Sequence, residues 1–134
     1  MRVFIDTTAV LAVLNANDKN HISARETWIR LVGVNELLVS TNYILLETNA
    51  ILQNRFGMDA VHLFNKDILP VLNIEWIGEE VHERGISSLL VANRRELSLV
   101  DCTSFEVMRQ AGIRHAFTFD QHFFEQGFKV FPEF

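Results

Sequence analysis

Three short runs, at 2–6, 37–41 and 115–119, are apolar almost throughout and show no clean alternation. A strand with one wet face alternates apolar and polar side chains. A strand without alternation is covered on both faces, as in the middle of a parallel sheet. Parallel neighbours cannot be joined by a hairpin and need a crossover, usually a helix. Helical patterns at 7–16, 20–34, 42–56, 59–69, 79–95 and 98–111 supply such crossovers. Further strand candidates lie at 72–77 and 128–131. Ser98 is a good N-cap for the last long helix, and Gly112 and Gly57 are suited to close the helices before them. "SARE", from Ser23 to Glu26, has the spacing of a capping box, either at a helix start or inside a longer helix from 20. Gly85 sits inside a helical pattern and points to a close helix contact. The expectation is an α/β fold: one domain, 1–134, with a central, mainly parallel sheet flanked by helices.

Composition narrows the function classes. No apolar run approaches the ~18 residues of a membrane span, and no signal-peptide pattern opens the chain, so a cytoplasmic protein is expected. The single cysteine, Cys102, excludes an internal disulfide and any multi-cysteine metal site. It is expected to face the core as a small apolar residue. Trp28 and Trp76 fall in apolar patterns and are expected in the core as well. A formal net charge of −5 argues against nucleic-acid binding by global charge, leaving only a local basic rim.

The acids are less easily explained. Asp6 ends the first strand, and Asp120 directly follows "HAFTF". Glu47 lies about two turns into the helix after the second strand, and Asp101 is in the first turn of the helix opened by Ser98. The carboxyl ends of parallel strands share one edge, where ligands bind, so these four residues can converge. Each aspartate also has a structural alternative: Asp6 and Asp120 as helix caps, and Asp101 as the partner of Ser98 in a capping box. Glu47 has no such role, because "NYILLETNAIL" surrounds it with apolar residues. Clustered like charges oppose folding unless something neutralises them. A divalent cation would do so, and an oxygen donor set suits Mg²⁺ or Mn²⁺ better than Zn²⁺.

Taken in order, "VFIDTTAVLAVL", "STNYILLETNAIL", "LSLVDCTSFEVMRQAGI" and "HAFTFDQHFFEQGFKVF" resemble the PIN-domain ribonucleases, and most of all the VapC-type toxins of toxin–antitoxin pairs. The resemblance spans nearly the whole chain. It implies that Asp6, Glu47, Asp101 and Asp120 form the catalytic, metal-holding quartet, with Mg²⁺ or Mn²⁺ as cofactor. It places Thr8 and Thr118 as supporting hydroxyls behind them. It further implies an endonuclease that hydrolyses single-stranded or looped RNA to leave a 5′-phosphate and a 3′-hydroxyl. A homodimer and a cognate antitoxin are the implied partners, with no membrane association.

An acidic site repels RNA, so basic residues are needed at its rim. Arg94 and Arg95, just before Ser98, are the candidate RNA contacts, with Arg109, Arg114 and Lys19 behind them. His122 is the histidine nearest the acids and is expected at the surface rather than as a ligand.

Other classes fit less well. A phosphatase with Asp6 as nucleophile needs an acid two residues on, where Thr8 stands. No glycine-rich nucleotide-binding motif is present. The remaining alternatives are a non-toxin RNA-processing nuclease and a metal-binding interaction domain without turnover.

Overall fold

The computed structural model describes residues 1–133. Five parallel strands form one sheet: β1 (Arg2–Ile5), β2 (Leu37–Thr41), β3 (Asn73–Glu75), β4 (His115–Phe117) and β5 (Lys129–Phe131), in the order β3-β2-β1-β4-β5. The sheet is parallel at every pairing, as the non-alternating runs require. Strand β1 is central, and Val3, Phe4 and Ile5 are fully buried. Successive side chains point to opposite faces. Val3 and Ile5 therefore join Ala9, Val10, Leu52 and Phe64 on one side. Phe4 joins Ile44, Phe105, Met108 and Phe123 on the other.

The helices are α1 (Thr7–Leu14), α2 (His21–Gly33), α3 (Asn42–Phe56), α4 (Met58–Leu63), α5 (Glu79–Ala92), α6 (Leu99–Ala111) and the short α7 (His122–Glu125). Helix α4 runs on through a wide turn at Phe64–Ile68 and a tight one at Leu69–Val71, where a single helix over 59–69 was expected. Pro70 has no N–H to continue the ladder, and the Leu69 N–H reaches back to the Phe64 carbonyl. The "SARE" box does not cap α2. The helix already starts at His21, because the turn before it is set by Asp18, whose side chain accepts the Asn20 N–H at 2.8 Å.

Trp76 corrects the sequence reading outright: it is 75% exposed. It follows the last residue of β3, an edge strand, and Ile77 turns inward in its place. Trp28 does pack against the core, and Cys102 is buried in it.

The contact expected at Gly85 is present. A Cβ there would lie 2.5 Å from Cγ2 of Thr103 and 3.3 Å from Cδ1 of Leu99, so α5 presses directly on the helix that carries Asp101. Thr103 cannot swing away easily, since its hydroxyl donates to the carbonyls of Leu99 (2.9 Å) and Val100 (3.0 Å). Gly85→Ala would gain about 1 kcal/mol in helix propensity. Overpacking costs more, typically about 1–3 kcal/mol. A net loss of stability is therefore expected in urea unfolding, and a more stable variant would contradict the packing described.

Candidate metal centre at the sheet edge

Parallel topology carries the ends of β1 and β4 to the same edge, with Ile5 in register with Phe117. The Asp6 N–H extends that ladder by one bond, to the Phe117 carbonyl at 3.1 Å. Asp6 is thus fixed by the sheet before its side chain is considered. It is also the N-cap of α1, accepting the Thr8 N–H at 3.4 Å, so the cap alternative holds. The cap does not account for the rest of its surroundings. Oδ2 accepts hydroxyl hydrogen bonds from Thr8 (2.6 Å) and Thr118 (2.9 Å). Those two threonines are themselves fixed: the Phe119 N–H donates to the Thr8 hydroxyl (3.0 Å) and the Asp120 N–H to the Thr118 hydroxyl (2.9 Å).

Asp101 is the third residue of α6 and forms a reciprocal capping box with Ser98. The Ser98 N–H donates to Asp101 Oδ2 and the Asp101 N–H to the Ser98 hydroxyl, both at 3.0 Å. Asp120 accepts the His122 N–H on Oδ1 at 2.9 Å, in the turn that opens α7. In each of these three aspartates one oxygen is engaged by such donors. Among the described residues, the other oxygen has none.

Glu47 reaches the group from α3, whose start is fixed to the sheet edge by the Thr41 cap. It is half-buried, and the Thr7 hydroxyl beside it favours its charged form. Thr7 is buried and pairs with the Thr48 hydroxyl at 3.1 Å. Nothing in the sequence singles out Thr7 for this role.

The carboxylates sense one another. Burial raises the Asp6 pKa to about 7, against the lowering effect of the Thr8 and Thr118 hydroxyls and with added repulsion from Asp101 and Asp120. Burial also pushes Glu47 up, reinforced by the charges of Asp101 and Asp120. Asp101 is raised by burial and by Asp120, and lowered by its bonds to Ser98 and by the neighbouring His122. Among the described residues, no lysine or arginine pairs with any of the four.

His122 is not the surface residue expected. Its side chain is only 14% exposed, and Nδ1 lies 2.9 Å from Asp120 Oδ1 and 3.9 Å from Asp101 Oδ2. The shorter contact lacks hydrogen-bond geometry, and Nδ1 is buried without a hydrogen-bond partner. Its place follows from the two-residue spacing in "DQH", which folds the ring back over the Asp120 turn.

The donor set fits a divalent cation. Asp101, Asp120 and His122 each offer a ligand atom within 4.8 Å of the others. Asp6 and Glu47 add carboxylates that feel those charges, and no thiolate takes part. Such a set favours Mg²⁺ or Mn²⁺ over a thiophilic ion.

The basic candidates separate. Arg94 is held by Glu96 (3.0 Å) and Glu125 (3.2 Å). Arg109 bonds Gln126 at 2.7 Å and lies over the rings of Phe105 and Phe128, which makes it a packing residue. Arg95 is exposed and makes no ion pair among the described residues.

Comparison with known proteins gives a consistent picture. The PIN-domain family profile matches residues 3–129. The 23S rRNA-specific endonuclease VapC20 of Mycobacterium tuberculosis (strain H37Rv) is 35% identical over 133 residues, covering 98% of this chain and 99% of that protein. The crystal structure of M. tuberculosis VapC20, described as a sarcin–ricin loop cleaving toxin, matches with a TM-score of 0.82 at 33% identity, covering 94% of this chain and 95% of that one. FitAcB from Neisseria gonorrhoeae matches with a TM-score of 0.67, covering 98% and 97% of the two chains; at 15% identity this is a likeness of fold alone. No helix in the described residues is long and apolar enough to cross a membrane.

Proposed function

Since the chain belongs to the PIN-domain family, as a member of VapC type, we propose that it is a Mg²⁺- or Mn²⁺-dependent endoribonuclease and the toxin of a toxin–antitoxin module. One observation carries the reading: the three aspartates of the edge each keep one oxygen engaged and the other available, with Glu47 beside them and, among the described residues, no lysine or arginine paired with the group. That arrangement costs stability and is hard to explain without a cation.

Asp6, Glu47, Asp101 and Asp120 would hold the ion. When bound, it would supply an acidified water as nucleophile and offset the charge that builds on the phosphate and the leaving oxygen. The remaining work falls to the protein. Thr8 and Thr118 hold the Asp6 carboxylate in one orientation, Ser98 does so for Asp101, and the Thr7–Thr48 pair supports Glu47. Such fixed donors cost no reorganisation during the reaction. Arg95, exposed and without an ion pair among the described residues, is the better candidate of the arginine pair for an RNA phosphate.

The relatives support a substrate class. VapC20 is named for 23S rRNA and described as cleaving the sarcin–ricin loop, and a structured ribosomal RNA loop is the substrate proposed for this chain. A small antitoxin protein and a second copy of the chain are its proposed partners. The test is to incubate the protein with ribosomal RNA and Mn²⁺ and to map the new ends. A single cut within the sarcin–ricin loop, leaving a 5′-phosphate, is expected. Cuts elsewhere would move the reading to another RNA target, and no cuts in any RNA would favour a domain that binds metal without turnover.

A further inference from the structure

We propose that His122 is a nitrogen ligand of the ion at this edge, and that it tilts the site toward Mn²⁺ over Mg²⁺. The inference rests on the ion-dependent reading above and adds a nitrogen donor to the acidic quartet.

Three observations carry it. The first is position. Asp120 and His122 are two residues apart in a tight turn, whose backbone bond from the His122 N–H to Asp120 Oδ1 fixes how the ring leaves the chain. The ring is packed against the site with 14% of its side chain exposed. The second is the state of its nitrogen. Nδ1 is buried and makes no hydrogen bond, although two carboxylates stand beside it. A buried polar atom without a partner is rare and calls for an explanation. The third is spacing. Nδ1 stands 2.9 Å from Asp120 Oδ1, the oxygen that also accepts the His122 N–H, so the ring lies beside the carboxylate whose other oxygen is open. The ligand atoms of Asp101, Asp120 and His122 all lie within 4.8 Å of one another, close enough to share one ion.

A structural alternative is a charged imidazole paired with Asp120. It accounts for the short distance but not for the missing hydrogen-bond geometry. Ligation accounts for both, because a coordinating nitrogen directs its lone pair at the ion rather than a proton at the neighbouring oxygen. The chemistry then sets selectivity. Mg²⁺ prefers oxygen donors, whereas imidazole nitrogen is well accepted by the later divalent ions of the first row, and Mn²⁺ lies between. A site with one nitrogen among carboxylates should therefore bind Mn²⁺ more tightly than Mg²⁺.

Pulsed electron paramagnetic resonance of Mn²⁺ bound to the full-length protein tests this without any activity measurement. Directly bound nitrogen should give a hyperfine coupling that changes when the histidines are labelled with ¹⁵N, and His122→Gln should abolish it. Calorimetry should show Mn²⁺ affinity falling at least ~10-fold in His122→Gln, with a smaller change for Mg²⁺. Mn²⁺ bound to the wild type with no nitrogen coupling would overturn the proposal and leave the carboxylate site standing. Coupling that survives in His122→Gln would assign the nitrogen elsewhere and overturn it too. If the wild type binds no Mn²⁺ at all, the ion-dependent reading fails and this inference fails with it. If the variant does not fold, the wild-type spectrum can still overturn the proposal, since it must show a nitrogen coupling that shifts on ¹⁵N-histidine labelling.

Discussion

Asp6→Asn is expected to abolish RNA cleavage and, at the same time, to make the ion-free protein more stable. The two effects share one cause. Asp6 is fully enclosed, its pKa is raised to about 7 by burial, and Asp101 and Asp120 repel it. The unfolded chain releases that proton near the ordinary aspartate value of 3.8, whereas the folded chain keeps it up to about 7. Between those values the folded state holds more protons than the unfolded state. Stability of the ion-free protein must therefore fall as pH rises through that window, and the full penalty persists above it. Asparagine has the same shape, caps a helix as well as aspartate does, and cannot ionise. It should raise stability near neutral pH by about 0.5–2 kcal/mol, a gain typical when a functional site is relieved of its strain. It should also flatten the pH dependence. Added Mg²⁺ should raise the wild-type melting temperature by mass action and raise that of the variant less. Melting curves with EDTA and with Mg²⁺, across about pH 4 to 8, read all of this. If Asp6 is only a cap, the variant will be active with unchanged melting behaviour in both conditions.

Glu47→Gln should lower turnover by at least ~10²-fold, the scale of losing a strong electrostatic contribution to the transition state. Glu47 separates function from folding well. Its backbone lies within α3, where it caps nothing, and its side chain is half-buried beside Thr7. Glutamine keeps the length and can still accept from the Thr7 hydroxyl, but it brings no charge. Burial and the charges of Asp101 and Asp120 already raise the Glu47 pKa, so neutralising it should leave the ion-free fold unharmed or slightly more stable. A folded variant with near-normal cleavage would remove Glu47 from the site.

The central strands were legible in the sequence because burial on both faces removes alternation, and Val3–Ile5 is a plain instance. The carboxylates were legible for a related reason: Asp6 and Asp120 follow strands whose carboxyl ends parallel topology brings to one edge. Asp101 was readable as a box partner and as a site residue; the structure shows the box, which uses only one carboxylate oxygen and leaves the other open at the sheet edge. The edges of the fold were harder to read. Trp76 looks like a core residue by type, but an edge strand ends beside it and the chain turns before the ring can be covered. His122 reads as a surface residue because the neighbours that enclose its nitrogen, Asp101 and Asp120, lie outside its own short helix. Arg94 and Arg95 are equivalent as letters, and only the fold shows that Glu96 and Glu125 take one of them.

The most direct measurement of the central claim is cleavage of an RNA carrying the sarcin–ricin loop by protein stripped of metal, assayed in EDTA and then after titration with Mg²⁺ or Mn²⁺. No cleavage in EDTA, and its full return with the added ion at the same position and with the same 5′-phosphate ends, is expected. Undiminished cleavage by the rigorously stripped protein would contradict it.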